Sequence, residues 1–223
     1  VASVLSESFE GSGYENSWTE AAGSGNTVDE DSTAVARPPG GGSQILEISL
    51  GGSAVQAYTY NLLSPVEDDI WIKFWWYLDS SSAESSDYDS ILILQDDRPV
   101  TQLYALVYYS SGWLVTINGY DGVSLETLLG PVSVETDTWY QIWIRYNYTD
   151  QEEEARIYQG GTLVDSNIET GWTIQDNIFV VVLGCAFSNR TVALTQYIDR
   201  FEIDDADWPE IAPRVPPWIL EGD

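Results

Sequence analysis

Along much of the chain, apolar and polar positions alternate with a period of two. In residues 69–79, Ile70, Ile72, Phe74, Trp76 and Leu78 fall on one side and Trp71, Lys73, Trp75 and Tyr77 on the other, which is the side-chain period of a strand. Both sides are apolar enough to need cover. Residues 138–149 repeat the arrangement, with Tyr140, Ile142, Ile144 and Tyr146 on one side and Trp139, Gln141, Trp143 and Arg145 on the other. The two segments are predicted to be neighbouring central strands. Further strands are predicted over 44–50, 54–61, 90–95, 102–109, 113–118, 155–159, 162–167, 177–186 and 196–203, all rich in β-branched or aromatic residues. Ser110-Ser111-Gly112, Asn118-Gly119, Asp121-Gly122 and Gly160-Gly161 supply turn chemistry between these runs, so hairpins are the expected connections.

Sustained helical spacing is absent, and many short strands punctuated by turns specify a sandwich or barrel. Two stretches break the alternation. Residues 11–42 are loaded with Gly, Ser, Asp and Glu, and the tail after Asp204 carries Pro209, Pro213, Pro216 and Pro217; neither reads as a central strand. The expected organisation is a sandwich domain over residues 1–208 and a Pro-rich arm over 209–223. Trp208, Ile211, Trp218, Ile219 and Leu220 give that arm apolar hooks for packing on its own sandwich or on a neighbour.

Composition narrows the function classes. At 223 residues and 24.8 kDa the chain buries roughly 70% of its unfolded surface, enough for one sandwich and thin for two. Acidic residues outnumber basic ones 36 to 8, for a formal charge of −28; such a field repels nucleic acid and anionic membranes. No stretch reaches the ~18 apolar residues of a membrane-spanning helix, and the first ten residues are too short and polar for a retained signal peptide. Methionine is absent even at position 1, as expected after processing or trimming, and a removed export signal fits. Cys185 is the only cysteine, so no intramolecular disulfide forms; its apolar neighbours point to a buried, inert thiol. Asn147-Tyr-Thr and Asn189-Arg-Thr are glycosylation triplets.

Four segments carry a family resemblance. The opening Leu5-Ser-Glu-Ser-Phe9-Glu10-Gly11, the central Asp69-Ile-Trp-Ile-Lys-Phe-Trp-Trp-Tyr-Leu, the later Thr138-Trp-Tyr-Gln-Ile-Trp-Ile-Arg-Tyr and the closing Tyr197-Ile-Asp-Arg-Phe-Glu-Ile-Asp resemble the concanavalin A-like lectin and glucanase superfamily, laminin-G-like domains included, over residues 5–208. The resemblance implies an all-β, two-sheet antiparallel jelly-roll sandwich in which an N-terminal strand pairs beside the C-terminal one. It leaves function open, since members include lectins, carbohydrate-binding modules, polysaccharide-cleaving enzymes, adhesion domains and parts of virus particles. By position it points to a structural Ca²⁺ held by Glu10 and Asp199, joined by Asp29 or Asp31; Asp87 with Asp89, or the Asp204-Asp205-Asp207 cluster, are the alternatives.

Catalytic chemistry is thinly represented. Histidine is absent, which removes Ser-His and Cys-His nucleophile machinery and His-ligated zinc. Glycoside cleavage needs two carboxylates across a sugar; the nearest match to the laminarinase-like Glu-x-Asp-x-x-Glu pattern is Glu202-Ile-Asp204-Asp-Ala-Asp207, whose last position is Asp and whose second half is leaving the sheet. No catalytic residue is assigned. The aromatic stripe is the stronger signal: Trp71, Trp75, Tyr77, Trp139 and Trp143, interleaved with Lys73, Gln141 and Arg145, are the residue types of core, of a sugar-stacking platform and of a protein interface alike. The expected function is a non-catalytic structural or adhesive subunit of an extracellular filament, coat or virus particle, contacting other copies of itself or another surface protein and also binding glycans; the alternative is a carbohydrate-binding module or lectin using the aromatic face.

Overall fold

A computed structural model describes residues 5–9, 18–41, 44–51, 56–174, 177–186 and 192–205. Among them the chain forms only strands and their connections: β1 (Leu5–Glu7), β2 (Thr19–Ala22), β3 (Thr27–Ser32), β4 (Ile45–Leu50), β5 (Ala57–Glu67), β6 (Asp69–Leu78), β7 (Asp89–Gln95), β8 (Thr101–Tyr109), β9 (Trp113–Tyr120), β10 (Leu125–Val134), β11 (Trp139–Asn147), β12 (Glu152–Gln159), β13 (Thr162–Glu169), β14 (Ile178–Cys185) and β15 (Leu194–Asp204). They build two antiparallel sheets packed face to face. The eight-stranded sheet runs β13-β12-β11-β6-β15-β4-β3, with β1 also pairing β15, and the seven-stranded sheet runs β10-β9-β8-β7-β14-β5-β2. The all-β sandwich is thus as expected, down to the N-terminal strand beside the C-terminal one (Leu5 opposite Ile203) and the adjacency of β6 and β11 (Trp143 opposite Lys73).

Alternation sorts the side chains as the pattern predicts. Ile70, Ile72, Phe74 and Trp76 from β6 and Ile142, Ile144 and Tyr146 from β11 enter the core, where they join Val181, Leu183 and Cys185 of β14 and Leu103, Ala105 and Val107 of β8. Each of the Val, Leu, Ile and Phe side chains among them contributes roughly 1.5–3 kcal/mol when fully buried. Phe201 packs against Phe74 and Trp18, with ring centroids 5.8 and 5.7 Å away. A polar bridge crosses this apolar layer. Trp76 Nε1 donates to Gln196 Oε1 at 2.8 Å, while Gln196 Nε2 donates to the Ser90 carbonyl at 3.0 Å and approaches Cys185 Sγ at 3.2 Å. The bridge joins β6 and β15 of one sheet to β7 and β14 of the other. Gln196→Leu leaves a buried indole N–H and a carbonyl without these bonds, and should cost about 2 kcal/mol in urea denaturation with the fold retained.

Three elements depart from the sequence expectation. Within residues 11–42, β2 and β3 are strands after all, each at a sheet edge; an edge strand has backbone to pair on one side only and tolerates the charges of Thr-Val-Asp-Glu-Asp-Ser. The β10 strand is also an edge, which is why it accommodates Pro131 and the register breaks around it. Asn118-Gly119 is not a turn but lies inside β9, and the hairpin turn falls at Asp121-Gly122. Gly160-Gly161, by contrast, is the β12–β13 turn, with φ of +56° and +81°. The assembly-arm residues Trp208, Ile211, Trp218, Ile219 and Leu220, together with Glu10, Asp207 and Asn189, lie outside the described residues.

Candidate functional site

The aromatic stripe occupies the outward face of the eight-stranded sheet. Antiparallel register sets Trp139 opposite Tyr77, Gln141 opposite Trp75, Trp143 opposite Lys73 and Arg145 opposite Trp71, so the β6 cation faces a β11 ring and the β11 cation a β6 ring. Lys73 Nζ lies 5.4 Å from the centroid of Trp143, and the Arg145 guanidinium 5.3 Å from that of Trp71, within the range of cation–π attraction. Arg145 also pairs with Glu152 at 2.9 Å. Trp143 leans on Tyr158 at 5.0 Å.

The stripe is not one flat platform. At the Tyr77 end, residues 33–41 fold over it: Trp139 Nε1 donates to the Ala36 carbonyl at 2.7 Å, and Val35 packs with Tyr77, Tyr197 and Ile45. Burial, then the hydrogen bond to Asp137, pushes the Tyr77 phenol up to about 12. At the other end, Trp71 and Trp143 are taken up by their stacking partners. Between the two ends lies a pocket of about 310 Å³ lined by Lys73, Trp75, Gln141, Arg200, Glu202, Pro39 and Gly160-Gly161.

A β-bulge makes this pocket. Between Asp199 (opposite Trp75) and Glu202 (opposite Lys73), β15 carries one residue more than its partner. Phe201 turns inward onto Phe74, while Arg200, at φ +50°, stays on the outer side. Lys73 Nζ is 3.8 Å from Glu202 Oε2, and Arg200 Nη2 is 3.7 Å from Glu202 Oε1. Burial lowers the proton affinity of Lys73; Glu202 works against that and Arg200 adds to it.

Of the residues expected to hold calcium, Asp199 is the one whose surroundings are described in most detail. Asp199 is fully buried beneath Gly41, where an added Cβ would lie 2.5 Å from Oδ2. Glu10 lies outside the described residues, and the side chain of Asp31 is not described. No group of three His, Cys, Asp or Glu side chains able to hold a metal occurs among the described residues. Asn147 is 2% exposed, donates to Asp150 Oδ2 at 3.1 Å and accepts from the Asp150 amide at 2.7 Å.

A larger groove, of about 600 Å³, crosses the outer face of the seven-stranded sheet. Strand register lays its floor in two rows. One runs Tyr60, Val182, Ile93, Tyr104 and the other Leu62, Val180, Gln95, Thr101, each across β5, β14, β7 and β8. Tyr58, Gln56, Ala186 and Leu125 complete the lining. With strands about 4.8 Å apart, Tyr60 and Tyr104 stand roughly 14 Å from one another across the sheet. Burial raises the pKa of the Tyr104 phenol, so it stays a neutral donor. The groove is lined by rings, aliphatics, amides and a hydroxyl, with no Asp, Glu, Lys or Arg among the described lining residues. The sequence reading missed it although Tyr58, Tyr60 and Leu62 alternate visibly. The opposite parity of β5 holds polar Thr59 and Asn61, yet that is the core side, where Thr59 Oγ1 is satisfied by the Thr19 carbonyl at 3.3 Å.

The sequence matches no family model and no curated protein. Solved structures share the fold. The chain superposes on a structure titled cellulose induced protein, Cip1, at TM-score 0.64 and 16% identity, covering 92% of this chain and 100% of that one. It also superposes on the binding domain of botulinum neurotoxin serotype D, at TM-score 0.58 and 13% identity, over 91% of this chain and 48% of that one. A sialidase matches at TM-score 0.59 and 9% identity, over 85% of this chain and 17% of that one. The chain thus spans all of one of these proteins, about half of the second and a minor part of the third. At such identities the likeness is one of fold.

Proposed function

We propose that this domain is a non-catalytic glycan-binding module that holds an extended, uncharged polysaccharide chain in the groove of the seven-stranded sheet. The observation that carries the reading is the make-up of that groove. It has aromatic faces for the C–H surfaces of sugar rings, amide and hydroxyl groups to orient them, and no charged side chain among its described lining in a chain of net charge −28. Acid–base cleavage of a glycoside needs two carboxylates flanking the bond, and this lining supplies neither. That solved structures of the same fold include a binding domain, a cellulose-induced protein and a sialidase is in keeping with carbohydrate or receptor recognition.

Affinity electrophoresis in gels containing neutral polysaccharides (β-glucans, mannans, xylans) tests the reading. Retardation is expected for the native protein, with affinity falling roughly tenfold for each of Tyr60→Ala and Tyr104→Ala, about 1.4 kcal/mol per lost ring contact. No new reducing or unsaturated ends should appear. Failure to bind any neutral chain, or release of cleavage products, would overturn it.

An assembly role at a cell or virion surface is the second reading. Besides the apolar hooks of the arm, it draws on β13, which ends the eight-stranded sheet and where Leu163, Val164 and Ile168 are 48%, 42% and 47% exposed, an edge strand with apolar side chains on view to other chains. Light scattering should then give a multimer that falls to the single-chain mass when residues 209–223 are deleted. A single-chain mass in both would exclude it.

A further inference from the structure

We infer that the pocket on the eight-stranded sheet is a second carbohydrate site, one that takes a single neutral sugar unit end-on through a vicinal diol. It lies on the sheet opposite the polysaccharide groove and shares no lining residue with it. Its floor is Trp75 with Gln141 and Lys73, 7%, 5% and 6% exposed; its wall is Arg200 and Glu202; Pro39 and the Gly160-Gly161 turn form the rim.

The choice of ligand follows from what these groups offer. A carboxylate flanked by two cations presents acceptors and donors side by side. One hydroxyl of a diol donates to Glu202 while its neighbour accepts from Lys73 or Arg200, and such charge-assisted bonds are the strong ones. The spacing leaves room for them: at 3.8 and 3.7 Å the Lys73–Glu202 and Arg200–Glu202 contacts exceed hydrogen-bond length. Trp75 and Pro39 provide apolar surface for the sugar ring, and the Gln141 amide provides one further donor and acceptor. At about 310 Å³, roughly half the volume of the groove, the pocket stands at the small end of ligand sites, a size suited to a single sugar unit.

Charge argues for an uncharged sugar. Lys73 and Arg200 face Glu202, and the buried Asp199, opposite Trp75 on the same strand, adds a second carboxylate to the neighbourhood, so the local charges balance while the whole molecule stands at −28. An anionic sugar gains little locally and is repelled at long range.

The test is titration of the full chain with methyl glycosides of neutral hexoses and 6-deoxyhexoses, with methyl glucuronide as the anionic arm, followed by backbone and side-chain amide NMR shifts. A neutral glycoside is expected to move the signals of Lys73, Trp75 and Gln141, and Glu202→Gln, which keeps size and shape, to weaken it at least tenfold. Lys73→Met gives an independent second variant, and thermal melting confirms that each variant is folded. Tyr60→Ala should leave this titration unchanged while weakening polysaccharide binding, so the two sites stand or fall separately. The inference is overturned if no neutral glycoside shifts these signals, if the shifts map to Tyr60 and Tyr104 instead, if methyl glucuronide alone binds, or if binding survives both variants.

Discussion

Gly119→Ala should destabilise the domain by roughly 3 kcal/mol or more, an unusual cost for adding one methyl group to a strand. The position has ordinary backbone geometry, so the effect is one of space alone. A Cβ at Gly119 would overlap Glu153 Oε2 and lie 2.6 Å from Glu153 Cδ and 2.6 Å from Trp172 Cζ3. Glu153 is fully buried on the inward side of β12 and reaches across the sandwich to β9, while Trp172 packs against the core from the chain that follows β13. Close-packed interiors yield little to such an insertion. Urea denaturation of Gly119→Ala beside the double variant Gly119→Ala/Glu153→Ala checks the cause: truncating the carboxylate should restore much of the loss, giving a coupling well above the few tenths of a kcal/mol seen for independent sites. Full additivity would place the cost elsewhere.

The same glycine shows where sequence reasoning stops. Asn-Gly between two apolar runs is the strongest short hairpin signal, and here it falls mid-strand, because the glycine answers to a side chain 34 positions later that no local pattern reveals. Alternation identified β6, β11 and the parity of their faces correctly, since a sheet buried on one side imposes period two on every residue. It did not reveal β2, β3 or β10, whose edge positions relax that demand. The aromatic stripe was legible as residues but not as a surface: whether Tyr77 and Trp139 lie open or under residues 33–41 depends on a Gly- and Pro-containing loop returning over the sheet. In β5 the polar residues lie on the inward side. Thr59 and Asn61 face the core and Tyr58 and Tyr60 face outward, so the larger groove was hidden by polar residues on the inward side. The pocket on the opposite sheet rests on a bulge at Arg200, which shifts register without leaving a mark in the pattern.

Glu153 should also give the domain a pH dependence opposite in sign to that of a salt-bridged carboxylate. Neither of its oxygens accepts a hydrogen bond of normal geometry, although the Tyr120 amide lies close enough to favour the anion somewhat. Burial outweighs that contact and holds the carboxyl well above its ordinary value of 4.5. The folded state therefore binds this proton more tightly than the unfolded one. Its contribution is fully present below the unfolded pKa and is lost as pH rises from there towards the folded pKa. General repulsion within a chain of charge −28 pushes the same way, so the slope of the native protein alone does not isolate Glu153. The difference from Glu153→Gln does. That variant is neutral at every pH, and its stability relative to the native protein should be near zero at pH 4 and shift steadily in its favour as the pH rises towards 8. Urea midpoints across that range measure it, with constant m-values as the check on unchanged unfolding. A pH-independent difference would mean that Glu153 ionises in the core at no cost and that a partner for it exists.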